Sequence, residues 1–100
     1  MTQSNHRLTK SDLVRILSED LDLTIVESRT IMDSLLDIII EGLQQERKIL
    51  ISDFGSFQVS IRESFQGYNP HDGRIITIPR RILPVFKSGK SLKQRLNPDI

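Results

Sequence analysis

The stretch IRESFQGYNPHDGRIITI, residues 61–78, decides the fold of this 100-residue chain. Strand-like segments flank a centre, Gly67 to Gly73, that is dense in turn-forming residues. If the flanking segments pair, they form a two-stranded ribbon with Pro70 at its tip. Because such a ribbon buries little surface and is only marginally stable alone in water, we expect it to bind another molecule. The Pro70 ring is compact, apolar and unable to donate a hydrogen bond, so it is either a turn former or a wedge for stacked bases.

On either side of the ribbon, the sequence predicts helices and further strands. Capping boxes at residues 9–12 and 24–27 open two helices, the second about 20 residues long. Residues 48–62 predict a β-hairpin that turns at 53–55, and residues 82–87 predict a third strand. Ser88 is predicted to cap a last short helix. We therefore predict an α+β fold: a helical hairpin, a three-stranded antiparallel sheet with a protruding β-ribbon arm at about 61–78, and a short C-terminal helix.

The second predicted helix carries more large aliphatic side chains than one small sheet can cover. The chain has no cysteine, so no disulfide adds stability to a fold with such a small hydrophobic core. Because aliphatic surface of that extent rarely stays exposed, the pattern favours an intertwined dimer over a stable monomer with a two-layer core. The residues predicted to form the shared dimer core are Ile31, Leu35, Ile38, Ile39, Leu43, Phe54, Phe57 and Phe86.

Length and composition disfavour several classes of protein. One hundred residues allow a single domain, and the lack of cysteine excludes a disulfide scaffold and thiol catalysis. The longest apolar runs, such as residues 38–40, are far too short to span a membrane. Asp53 to Gly55 spells a kinase tripeptide, but no glycine-rich or catalytic loop accompanies it. With no nucleophile–base pair and no metal-ligand cluster, we expect no enzyme, metal, cofactor, membrane partner or small-molecule substrate, and a cytoplasmic location.

The charge of the chain is unevenly distributed although its net value is only +1. Residues 1–57 carry six basic and ten acidic side chains, which gives −4. Residues 58–100 carry eight basic and three acidic side chains, which gives +5. This asymmetry favours a cationic segment that meets a polyanion, and the plain alternative is two solvated faces of different sign.

Motifs in unbroken order through residues 8–97 point to a known family. They are Leu8 to Leu13, Leu23-Thr24, Phe54 to Phe57, Gly67-x-Asn69-Pro70-x-x-Gly73, Ile78-Pro79, and Pro84-x-Phe86-Lys87-x-Gly89-Lys90-x-Leu92-Lys93. Together they resemble the HU and integration host factor family of bacterial nucleoid-associated proteins. The resemblance implies one domain at 8–97. The polar, unpatterned residues before it predict a flexible N-terminal tail at 1–7, and residues 98–100 are assigned to a second tail.

The resemblance also implies a function and a site. Family members are intertwined dimers whose arms enter the minor groove of double-stranded DNA, where the tip proline inserts between base pairs and bends the duplex. The implied partners are duplex DNA and a second subunit, identical or related, in the bacterial nucleoid. The implied DNA-binding residues are Lys10, Arg62, Gly67, Tyr68, Asn69, Pro70, Arg74, Arg80, Arg81, Lys87, Lys90 and Lys93, with Pro70 as the wedge.

The arm departs from the basic pattern that is common in the family. Ser60, Phe65 and Tyr68 stand where the family commonly has arginine, and Gln66 stands where it has lysine or proline. Asp53 places a carboxylate in a turn that, by the resemblance, approaches the DNA backbone. We therefore expect a shallower salt dependence than in a full-strength member. The alternative is a structural or protein-interaction dimer on the same scaffold, whose arm has weak or lost DNA binding.

Overall fold

A computed structural model describes residues 7–99, and within them it has three helices and five strands. In chain order these are α1 (Lys10–Leu21), α2 (Ile25–Gln44), β1 (Ile49–Ile51), β2 (Gly55–Arg62), β3 (Phe65–Tyr68), β4 (Ile75–Ile78), β5 (Arg81–Ser88) and α3 (Lys90–Leu96). The predicted α+β class and order of elements are confirmed. Apart from Arg7, the predicted N-terminal tail lies outside the described residues, as does Ile100 of the C-terminal tail.

The chain divides into two compact units, the first ending at Ile38 and the second beginning at Ile39 within α2. In the first unit, both helices start at the predicted capping boxes. The Asp12 carboxylate accepts the backbone N–H of Thr9 at 2.9 Å, and Thr9 Oγ1 accepts the N–H of Asp12. Thr24 and Glu27 exchange the same pair of bonds at 2.9 and 3.0 Å. These backbone hydrogen bonds hold the pKa of the Asp12 and Glu27 carboxyls below their ordinary values.

In the second unit, β1, β2 and β5 form a three-stranded antiparallel sheet with β2 in the centre. The register places Phe57 opposite Phe86, and the Phe86 ring lies 5.0 Å from the Phe57 ring and 5.4 Å from the Phe54 ring. The predicted turn at 53–55 joins β1 to β2, and Asp53 adopts a left-handed conformation there with φ of 66°. The aromatic cluster therefore joins this turn to the central strand pair.

The strands β3 and β4 form a separate two-stranded antiparallel sheet, which confirms the predicted ribbon arm. Short breaks at 63–64 and 79–80 separate the arm from the three-stranded sheet, and Pro79 has no N–H to donate to a strand partner. One prediction was wrong: the N-cap of α3 is Gly89, not Ser88. Ser88 is the last residue of β5 and pairs with Gly55, so the strand ladder fixes its backbone and the helix starts one residue later.

Little hydrophobic surface is buried within one chain. Among residues 7–99, Val14 is the one fully buried hydrophobic side chain, at 2% exposure. Of the residues predicted to form a dimer core, Ile31, Leu35, Ile38, Phe54 and Phe86 are exposed, and Ile39, Leu43 and Phe57 are half-buried. Ile38 is 64% exposed although it lies in the middle of a long helix. A single chain thus leaves uncovered most of the side chains assigned to the shared core.

Candidate nucleic-acid interface

The tip of the arm is a turn that its own hydrogen bonds hold in place. The Asn69 N–H donates to the Arg74 carbonyl and the Gly73 N–H donates to the Asn69 carbonyl, both at 2.8 Å. The Asn69 side-chain oxygen accepts the N–H of His71 at 2.9 Å, and Gly73 takes a φ of 73°, which favours glycine. Pro70 is exposed between these bonds. Because the turn is already ordered, insertion of the Pro70 ring into a ligand would need little further ordering of the backbone.

The strands of the arm carry no charged side chain. The register places Phe65 opposite Ile78 and Gly67 opposite Ile76, so one face of the ribbon is apolar. A Cβ on Gly67 would lie 3.3 Å from Ile78 Cδ1, which shows that the isoleucine closes over the glycine. Tyr68 lies on the other face and is 67% exposed. The arm therefore offers van der Waals contact where the family pattern offers arginine.

Two of the predicted DNA-binding cations form ion pairs with nearby acids. Lys10 Nζ contacts Asp33 Oδ1 in the first unit, between the start of α1 and the middle of α2. In the tip, Arg74 Nε lies 3.9 Å from Asp72 Oδ2, and Asp72 also accepts the backbone N–H of Arg74 at 3.0 Å. Both pairs are exposed enough for solvent and salt to weaken them.

A third predicted cation, Arg80, contacts two acidic residues at the base of the arm. Its Nη2 donates to both carboxylate oxygens of Glu46 at 3.3 Å, and its Nε lies 3.6 Å from Glu63 Oε1. Sequence reasoning did not assign Glu46 or Glu63 to the site. Since Glu46 is separated from Arg80 by 34 residues, no local motif could have linked them.

The remaining predicted cations form no ion pair within residues 7–99, and we call them the body cations. All are exposed and lie in the second unit, on β2, β5 and α3. They are Arg62, Arg81, Lys87, Lys90 and Lys93. Arg62 and Arg81 lie directly opposite each other in the β2–β5 register. Neighbouring like charges without an acidic partner form a site suited to an anion such as phosphate.

Within residues 7–99, no three His, Cys, Asp or Glu side chains are grouped so that they could hold a metal ion. No helix in this part is long and apolar enough to cross a membrane. The arm tip and the body cations are thus the candidate interface.

Comparison with known proteins gives matches over most of the chain. The family described as bacterial DNA-binding protein matches residues 8–97. DNA-binding protein HU of Staphylococcus aureus is 36% identical over 86 residues, which are 86% of this chain and 96% of that protein. Integration host factor subunit alpha of Xylella fastidiosa is 33% identical over 90 residues, which are 90% of this chain and 91% of that subunit.

A solved structure gives the same result for the fold. The Anabaena HU–DNA cocrystal structure superposes with a TM-score of 0.73 at 28% identity, covering 90% of this chain and 98% of that one. The resemblance inferred from the motifs is thereby confirmed by sequence and by structure. The chain belongs to the bacterial DNA-binding protein family that includes HU and integration host factor.

Proposed function

We propose that this chain is an architectural DNA-binding protein that binds duplex DNA through the minor groove as a dimer and bends it with Pro70. Family membership supports DNA as the ligand. The single observation that carries the bending mechanism is the exposed Pro70 on a tip that Asn69 and its hydrogen bonds already order. Apolar wedges of this kind kink DNA by partly unstacking a base step, as the IHF and HU proteins do.

The body cations have a separate energetic role in this mechanism. Unstacking a base step costs a few kcal/mol, and contacts along the bent duplex must offset that cost. Arg62 and Arg81 lie where the three-stranded sheet gives way to the arm, and the lysines lie at the other end of β5 and on α3. Phosphate contacts by these residues would hold the duplex on both sides of the bend.

The dimer is supported by the apolar surface that a single chain leaves open. In the second unit, an apolar groove of about 390 Å³ is lined by the end of α2 and by the sheet. Its apolar lining residues are Ile40, Leu43, Val59, Ile82 and Pro84. Exposed apolar surface of this extent marks an interaction site. A second subunit, identical or related, is the occupant that this proposal requires.

The cellular setting follows from the ligand. A bacterial protein that binds and bends duplex DNA works in the cytoplasm on the nucleoid. Binding and bending need neither a bond-breaking step nor a cofactor, so we propose a non-enzymatic role. The family match favours this function over the alternative of a protein-interaction dimer whose arm has lost DNA binding.

The test compares Pro70→Ala with Pro98→Ala, which removes an exposed proline outside the arm. Bending is measured by energy transfer between dyes at the two ends of a duplex of about 30 bp, and affinity by fluorescence anisotropy. We expect Pro70→Ala to reduce the bend of the bound duplex more than it reduces affinity, and Pro98→Ala to change neither. An equal loss of bend and affinity in Pro70→Ala would contradict the wedge. No binding by the unaltered protein at about 50 mM salt would instead support the protein-interaction dimer.

A further inference from the structure

Arg80, Glu46 and Glu63 form a cluster, here called the acidic clamp, at the place where the arm leaves the sheet. Arg80 lies in the break between β4 and β5, and Glu63 lies in the break between β2 and β3. Glu46 comes from the turn that follows α2 and contacts Arg80 with both carboxylate oxygens at 3.3 Å. The clamp thus ties both strands of the arm base to the end of a helix.

The backbone of Glu46 gives an independent reason to assign it a role. Glu46 has a φ of 59°, in the left-handed region where a side chain is strained. Glycine or asparagine is the usual residue at such a position after a helix. The contact of its side chain with Arg80, 34 residues away, is an interaction that offsets this strain and holds the backbone of Glu46 in place.

The charge of the clamp opposes DNA binding by Arg80. Two carboxylates around one guanidinium leave the cluster with a net charge of −1. A phosphate that approaches Arg80 therefore meets repulsion and must also displace the carboxylate contacts. The side chains of Arg80 and Glu46 are 42% and 38% exposed, so solvent weakens the pair and a phosphate has access to it.

We propose that Glu46 and Glu63 act as positioning residues that hold Arg80 and restrain the base of the arm in the free protein, and that DNA phosphate competes with them for Arg80. This inference rests on the proposed DNA-binding function for its second half only. Restraint of the arm is a property of the free protein and can be measured without DNA. Arg80 is then a phosphate ligand only after the clamp opens.

The experiment uses Glu46→Gln, with Glu41→Gln as the matched control. Glu41 is an exposed glutamate of α2 that forms no ion pair within residues 7–99, and its replacement changes the net charge equally. Amide hydrogen exchange of β3 and β4 is measured in the free full-length protein, and the salt dependence of duplex binding by anisotropy. Glu63→Gln is the second variant, because it opens the clamp from the arm side without altering the strained turn.

We expect Glu46→Gln and Glu63→Gln to accelerate exchange in the arm strands, whereas Glu41→Gln leaves it unchanged. With DNA, each clamp variant should bind about three-fold tighter per arm, or about ten-fold per dimer, as the loss of an exposed ion pair allows. Its plot of log affinity against log salt should be steeper by about one to two units, since two further phosphates are contacted per dimer. A merely structural loss would not steepen this plot.

Two results would overturn the proposal. One is amide hydrogen exchange of β3 and β4 that is no faster in the two clamp variants than in Glu41→Gln. This result would show that the clamp does not restrain the arm. The other is an unchanged salt slope in clamp variants that bind DNA. This result would show that phosphate does not compete with the glutamates for Arg80. If the unaltered protein does not bind DNA at all, the proposed function fails, and the exchange comparison still decides the restraint on its own.

Discussion

Replacement of Arg81 by glutamine should stabilise the folded protein against unfolding and weaken its DNA binding at the same time. Arg81 lies directly opposite Arg62 in the antiparallel register, and neither forms an ion pair within residues 7–99. Like charges on directly opposed residues repel, and cross-strand pair terms are about 0.2–1 kcal/mol. Removal of one charge should therefore raise the free energy of unfolding by about 0.5 kcal/mol and Tm by about 2–4 °C.

We expect the effect on binding to have the opposite sign, because the two positive charges that repel each other would each attract a phosphate. In a dimer, Arg81→Gln removes two phosphate contacts, which should lower the slope of log affinity against log salt by about 1.8. When the two proteins are compared from equal affinities at 1 M salt, this difference in slope means that the variant binds about sixty-fold more weakly at 0.1 M salt. The variant would thus be a more stable protein and a poorer DNA binder.

Thermal unfolding and salt-titrated anisotropy measure the two quantities, with Arg47→Gln as the matched control. Arg47 is an exposed arginine of the second unit that lies before β1 and has no arginine opposite it in the sheet. We expect this control to change Tm little and to leave the salt slope close to that of the unaltered protein. A lower Tm in Arg81→Gln would refute the repulsive pairing, and an unchanged salt slope would refute the phosphate contact.

Four further predictions concern the dimer, the sheet, the arm and one helix cap. Ile38→Glu should abolish the dimer in sedimentation experiments, because two isoleucines per dimer each lose about 2 kcal/mol of burial, whereas Val26→Glu on the same helix should leave it intact. Gly55→Ala should destabilise the protein by about 3 kcal/mol in urea titration, since its Cβ would lie 2.4 Å from a backbone carbonyl oxygen of β5. Gly67→Ala should change stability by less than about 1 kcal/mol, because its nearest neighbour is the end of a flexible side chain at 3.3 Å. The N-cap hydrogen bond lowers the folded-state pKa of Glu27 below its ordinary 4.5, so the stability difference between the unaltered protein and Glu27→Ala should be full above that pH and shrink as pH falls through the folded pKa in thermal scans.

The helices and the arm could be predicted because local chemistry decides them. Thr9 with Asp12, and Thr24 with Glu27, satisfy the first helical N–H groups from within four residues, and the structure shows those bonds. The turn formers around Pro70 likewise close their own hydrogen bonds, so the ribbon tip is recognisable in the sequence.

The features that the sequence did not reveal depend on which distant segments meet. Ser88 has the chemistry of an N-cap, but pairing with Gly55 keeps it in β5, and the helix begins one residue later. The contact of Glu46 with Arg80 requires the fold to bring the turn after α2 to the base of the arm. Local propensity carries no information about either pairing. The net negative charge of the cluster around Arg80 is therefore visible only in the structure.

Salt dependence and bending should be separable in this protein, because they arise from different parts of the second unit. Residues 63–80 contain two acidic and two basic side chains, so the +5 of the C-terminal half lies entirely outside the arm. We therefore expect the body cations to release most of the counterions, and the arm to contribute an apolar surface and the Pro70 wedge. It follows that Arg81→Gln should alter the salt slope and leave the bend of the bound duplex unchanged, while Pro70→Ala should do the reverse. A changed salt slope in Pro70→Ala would mean that the arm tip also contacts phosphate, and a changed bend in Arg81→Gln would mean that the body cations help to set the bend.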